Sequence, residues 1–197
     1  PVVAKHAFTF LFNQTEFGMG CPINVTDGCA KLLNNFGSEA LKAKYLDGLT
    51  QTDMSRLTQG GQFMTEKEGG SDVGTLTTRA VQEGDHWRLY GEKWFCSNAD
   101  AKVVMLLARP EGAGPGTKGV GLFLMPRFLD DGSPNHYRIV RLKDKLGTRS
   151  MASGEIKFDG AIAYAVGKLD RGFVQMAEMV NSSRLSNGVK STALMRR

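Results

Sequence analysis

Three short stretches carry residues whose types and spacing could do chemistry. The first is Thr65-Glu66-Lys67-Glu68-Gly69-Gly70-Ser71-Asp72. Two glycines ahead of a hydroxyl let backbone N–H groups close on an anion, and Ser71 adds a donor for a phosphate oxygen. Gly-Gly-Ser is also an ordinary turn, and Glu66 and Glu68 read as its solvated carboxylates rather than as an acid/base dyad. The second stretch is Lys93-Trp94-Phe95-Cys96-Ser97-Asn98. As a strand it puts Phe95 and Ser97 on one face and Trp94 and Cys96 on the other. A ring beside a hydroxyl suits a flat heteroaromatic ligand, which stacks on one and hydrogen-bonds the other. A core strand with one aromatic residue has the same pattern. The third feature is Arg184, on the apolar stripe of the last helix, where a charge must pair, reach solvent or bind an anion.

Other chemistries are excluded by spacing. There is no GxSxG, since the pattern around Ser71 breaks at Val73, and no HExxH. Three cysteines (Cys21, Cys29, Cys96) without CxxC spacing and three scattered histidines give no metal motif and predict free or buried thiols in a reducing compartment. The loop Glu111–Lys118 fails as a P-loop: Gly112 has Thr117 where a glycine is needed, and Gly114-to-Gly119 is followed by Val120 rather than lysine. No GxGxxG follows a strand, so a Rossmann domain is not supported.

The elements that must position these stretches change character along the chain. Residues 1–57 read as helical. Ser38 is a candidate N-cap for Ser38–Leu49, Pro22 suits a first helical turn, Gly28 weakens that helix, and Gly60-Gly61 marks a break. Residues 58–167 hold short β-type runs: Gln62–Thr65, Thr75–Val81, His86–Tyr90, Trp94–Ser97, Val103–Ala108, Val120–Met125, Tyr137–Leu142 and Glu155–Phe158. Glu83-Gly84-Asp85 predicts a hairpin. Residues 168–197 return to helical spacing through Phe173, Ala177, Val180 and Arg184. Helices, then strands, then a helix argue an α+β fold with a central β-barrel or sandwich.

With 197 residues, 41% hydrophobic and 23% charged, the chain has the composition of an ordinary globular protein. Its longest apolar runs are too short to span a bilayer. The net charge of +5 is not concentrated on one element: +5/−5 over residues 1–60, +15/−13 over 61–168 and +5/−2 over 169–197. Its densest basic strip, Arg138, Arg141, Lys143, Lys145 and Arg149, reads as a solvated face rather than an anion-binding strip. The absence of a visible targeting signal and the cysteine usage favour the bacterial cytoplasm, with the mitochondrial matrix left open. A start at Pro1 and an end at Arg197 inside helical spacing suggest a fragment of a longer chain.

Phe63–Val73, Gly91–Asn98 and Lys143–Ser150, preceded by Gly37–Leu46, together resemble the acyl-CoA dehydrogenase family, in its order and over essentially all of the chain. Thr-Glu-Lys-x-Gly-Gly-Ser-Asp and Lys-Asp-Lys-Leu-Gly are most similar to its AidB-like branch. The resemblance implies a flavoprotein holding FAD between a β-barrel and flanking helices. It also implies an acyl-CoA substrate desaturated at the α,β bond in fatty acid metabolism, an acceptor such as an electron-transfer flavoprotein, and a homo-oligomer, usually a tetramer or dimer.

By position it implies flavin contacts from Phe63, Met64, Thr65, Gly70, Ser71, Phe95, Cys96 and Ser97. Thr65 would bond the ring edge, Ser71 the pyrophosphate, and Ser97 the N5 region. Ser71, Asn181 and Arg184 would line the acyl-CoA path. The general base has no candidate: one subgroup places a glutamate where this chain has Ser183, and Glu178 lies on another helical face, so the base is expected beyond Arg197. The alternative is an AidB-like flavoprotein with a DNA-associated protective role and little dehydrogenase activity.

Overall fold

The protein is described from a computed structural model covering residues 2–197. Three helices, α1 (Val2–Asn13), α2 (Gly20–Phe36) and α3 (Glu39–Leu49), precede seven strands, and a long helix, α4 (Gly172–Arg196), follows them. The strands are β1 (Gly60–Phe63), β2 (Arg79–Glu83), β3 (His86–Ser97), β4 (Val103–Pro110), β5 (Gly121–Pro126), β6 (Tyr137–Leu142) and β7 (Ser153–Ala165). Ser38 caps α3 as predicted, its side chain accepting the Leu41 N–H at 3.3 Å.

The strands close into a barrel. β3 pairs β7, β7 pairs β5, β5 pairs β4, and the gap between β4 and β3 is filled by β1 and β2 lying end to end. β6 lies outside this circuit, paired only with β7. Between β1 and β2 the chain makes one long excursion, residues 64–78, and this carries the Thr65–Asp72 stretch.

β4 explains how barrel and helices share one body. Its run Val-Val-Met-Leu-Leu-Ala is buried on both faces, as an apolar run without alternation requires. Val104, Leu106 and Ala108 enter the barrel core with Phe63, Cys96, Phe123 and Phe158. Val103, Met105 and Leu107 face outward onto Leu32 and Leu33 of α2 and Met176 and Met179 of α4.

Several boundaries differ from the sequence reading. The two runs at His86–Tyr90 and Trp94–Ser97 are one strand, and Glu155–Phe158 is the middle of the longer β7. The run from Thr75 begins in a 3-10 turn at Val73–Thr75. Gly60-Gly61 is not a break but the start of β1; a Cβ on Gly60 would lie 2.7 Å from Cys29 Sγ, so the glycine lets α2 rest on the strand. The buried stripe of α4 runs through Gly172, Gln175, Met176, Met179, Ser186, Lys190 and Ala193. Arg184 is therefore off the stripe and exposed, and Phe173, Ala177 and Val180 are only partly buried.

α4 is seated on the barrel by Gly172. A Cβ there would fall 2.3 Å from both Gly121 C and Leu122 N, all rigid backbone. Gly172→Ala is expected to lower stability by about 3 kcal/mol, at the upper end of overpacking costs, because α4 must lift away from β5. Urea unfolding of the two proteins measures the difference; a loss under about 0.5 kcal/mol would show that α4 has slack there.

Candidate functional site

The excursion between β1 and β2 is held by one buried ion pair. Glu66 is 2% exposed and Lys93 1%, so Glu66 is not the solvated turn carboxylate the sequence suggested. Its oxygens accept from Lys93 Nζ at 2.6 Å, Thr77 N at 2.6 Å, Thr77 Oγ1 at 2.9 Å, Thr78 Oγ1 at 2.5 Å and Thr78 N at 3.2 Å. Lys93 also donates to Met64 O at 3.3 Å, and Trp94 N donates to Thr65 O at 2.9 Å. One carboxylate thus ties the start of the excursion to its end, and one ammonium ties both to β3. Burial pushes the Glu66 carboxyl up, but the Lys93 charge and the hydrogen bonds outweigh it and leave it below the usual range. Burial pulls the Lys93 ammonium down against the pull of Glu66. Glu68, by contrast, is exposed.

β3 changes face at the same place. Lys93 stands opposite Ile156 and Cys96 opposite Gly154, with a bulge between them. Lys93 and Cys96 therefore both point inward although three residues apart, and Trp94 and Phe95 are both left outside. Trp94 does not share the face of Cys96, as strict alternation had predicted. Phe95 is 54% exposed. Ser97 stands opposite Gln62, whose amide reaches Met176 Sδ of α4 at 3.7 Å, so Ser97 faces the helical side. Met64 packs against the same helical cluster. The turn after Ser97 is fixed by Asn98 at φ 57°, with its amide donating to Gly60 O at 2.9 Å.

One outward surface beside α4 thus carries Phe95, Ser97, Met64 and Gln62, with Thr65 at its edge. Phe63 and Cys96 are fully buried in the barrel, so a ligand on this surface meets them only through backbone. Burial pushes the Cys96 thiol up to about 12. Gly70 and Ser71 lie in an exposed turn, steadied by Asp72 Oδ1 accepting Gly74 N at 2.9 Å. Asn181 and Arg184 are exposed and touch each other at 3.5 Å. They sit roughly 8 and 12 Å further along α4 than Met176 by helical rise.

Sequence reasoning missed Asn24, whose amide donates to Ser183 Oγ at 2.8 Å between α2 and α4. Glu178 is tied to α2 through Asn35 at 2.9 Å and Lys31 at 3.6 Å. The basic strip is not simply a solvated face. Arg141 and Lys143 both donate to Glu155, at 2.7 and 2.6 Å, and Lys145 donates to Met151 O at 2.6 Å. Arg109 holds the Glu111–Lys118 loop through the carbonyls of Gly114, Gly116 and Gly119. No metal-binding cluster and no membrane-spanning helix occur among the described residues.

Residues 61–161 match the acyl-CoA dehydrogenase middle domain. The chain is 41% identical to acyl-CoA dehydrogenase family member 11 of Caenorhabditis elegans, over 95% of its own length and 32% of that protein's. It is 37% identical to the putative acyl-CoA dehydrogenase AidB of Escherichia coli, over 99% of its length and 37% of that protein's. Among solved structures it superposes on C. elegans ACDH-11 in complex with C11-CoA at a TM-score of 0.90, with 40% identity, covering 98% of this chain and 34% of that one. The chain belongs to the acyl-CoA dehydrogenase family, whose members are FAD-dependent flavoproteins. It spans about a third of the length of these relatives.

Replacing Lys93 by Met leaves Glu66 buried without its counter-charge, and a loss of about 3–5 kcal/mol is expected by denaturant titration. In the unaltered protein the Glu66 contribution is complete above its unfolded-state range near 4.5 and drains away as the pH falls through the lower folded-state value. Glu66→Gln should flatten this acid limb. An acid limb with the same slope in both proteins would remove Glu66 from it.

Proposed function

We propose that this chain forms the flavin platform of an FAD-dependent acyl-CoA dehydrogenase acting at the α,β bond of a thioester. The observation that carries the reading is the half-exposed Phe95 beside Ser97 on the outward barrel face bordered by α4. A flat ring system fits there: Phe95 offers a face, Ser97 and Thr65 offer hydroxyls, and Gln62 and Met64 border it. Ser71, at the exposed turn, would meet the pyrophosphate. FAD supplies the hydride acceptor for the substrate β-carbon.

The chain's own residues position and exclude. Phe95 and Met64 keep water from one side of the platform, and the Glu66–Lys93 pair holds Thr65 against β3. Arg184 and Asn181 are assigned to the acyl-CoA path, where Arg184 would meet a phosphate or carbonyl oxygen. Removal of the α-proton needs a carboxylate. Glu66 is enclosed by donors, Glu155 Oε1 is shared by Lys143 and Arg141, Glu178 is bound to α2 through Asn35 and Lys31, and the residue before Arg184 is Ser183. The reading therefore assigns that base to protein outside residues 1–197. The DNA-associated alternative gains no supporting observation, since Arg141 and Lys143 of the basic strip are held by Glu155.

The deciding experiment is the visible spectrum of the full-length gene product, before and after anaerobic addition of a panel of acyl-CoAs. A flavin spectrum bleached by one of them is the expected result. A flavin that no acyl-CoA bleaches would refute the dehydrogenase activity, and a protein unable to take up FAD would refute the platform itself. Phe95→Ala and Ser97→Ala are each expected to weaken FAD retention at least several-fold or to shift its absorption. Unchanged flavin behaviour in both would remove these residues from the site.

A further inference from the structure

The geometry points to Lys143 as the residue that sets the electron affinity of the Phe95 platform, through a largely shielded positive charge held against its two aromatic rings. This inference rests on the flavin reading and extends it. Lys143 follows the end of β6, and its Nζ lies 3.2 Å from the centroid of the Trp94 ring and 4.5 Å from that of Phe95. Its side chain is 11% exposed, and its partner Glu155 is 10% exposed.

Glu155 does not cancel the charge, because it is shared. Arg141 donates to the same oxygen at 2.7 Å and its guanidinium lies 5.6 Å from the Trp94 ring centroid. On the other side, Lys67 Nζ lies 4.5 Å from that centroid and faces Glu92, which also faces Lys157. With Glu68 lining the same pocket as Lys67, Glu92 and Trp94, four cations thus meet three carboxylates around one aromatic pair, and the local field is net positive. Lys143 carries most of it to the platform, since it alone contacts both rings and its burial limits screening by salt.

A positive charge beside a redox group favours the state with more electrons. The hydride that FAD held here would take from the thioester substrate, two electrons and one proton, would add one negative charge to the site. Lys143 needs no bond to the cofactor to favour that gain. It needs only its place behind Phe95, fixed by Glu155 and by the rings. Lys143 is thus a tuning residue, acting through the field at Phe95.

The test is the midpoint potential of the full-length FAD-loaded protein and of Lys143→Met, Lys143→Arg and Glu155→Gln. Lys143→Met is expected to lower the potential. The ratio of reduced to oxidised flavin at fixed potential should fall roughly ten-fold, which is about 30 mV for a two-electron couple. Lys143→Arg should restore most of it, and Glu155→Gln should move it the other way. Lys143→Met that holds FAD at the unaltered potential would overturn the inference, as would equal falls in the Met and Arg variants, which would show packing rather than charge. Should Lys143→Met fail to fold, Glu155→Gln decides, and no rise in its potential overturns the inference. An unaltered protein that takes up no FAD would instead overturn the flavin reading beneath it.

Discussion

The buried contact between Glu66 and Lys93 is the constraint on which the site depends. The excursion from β1 to β2 forms no strand of its own and has few backbone bonds to the barrel, Thr65 O to Trp94 N and Thr78 O to Arg109 N among them, so side chains must supply much of its shape. Two ions withdrawn from water are costly unless their remaining hydrogen-bonding capacity is filled. Here Glu66 takes donors from Thr77 and Thr78 as well as from Lys93, and Lys93 adds Met64 O. The same side chain also governs β3. With Lys93 drawn inward and Cys96 locked in the barrel core, the strand must bulge between them, and the bulge is what turns Trp94 and Phe95 outward.

A second constraint joins this platform to the helices. β4 gives one set of side chains to the barrel core and the other to α2 and α4, so the two cores share one strand. The close seats at Gly60 and Gly172 set how near the helices come. Met176 then stands beside Gln62, and the Phe95 surface gains a helical border. Sequence order places these parts far apart; the shared strand brings them together.

Much of this was legible in the sequence, and for identifiable reasons. The doubly buried β4 is an uninterrupted apolar run, Ser38 is an N-cap by its chemistry, and the ordered motifs pointed to the family. What was not legible turns on long-range contacts. Glu66 lies among Lys, Glu and Gly residues and reads as solvated, because nothing local shows that Lys93, Thr77 and Thr78 will enclose it. Trp94 was placed on the wrong face because a bulge breaks strict alternation. Arg184 was placed on the buried stripe because α4 buries Gln175, Ser186 and Lys190, polar residues that a hydropathy count turns outward. Gln175 is kept inside by Val166 O and the Lys168 backbone, which local spacing cannot show.

The carboxylates divide along the same lines. An acid that is to remove a proton must present a free lone pair at the substrate. Glu66 spends both oxygens on the excursion and Lys93, while Glu155 commits Oε1 to Lys143 and Arg141, and Glu178 commits Oε2 to α2. Burial pushes the Glu155 carboxyl up, yet the bonds from Lys143 and Arg141 leave it below the usual carboxylate range, which makes it a poor base and a steady anchor. Within this chain, negative charge therefore holds the platform, and on the proposed reading positive charge shapes the field over it. Under the proposed function that arrangement suits a surface that receives electrons, with proton removal falling to a group the platform does not have to hold.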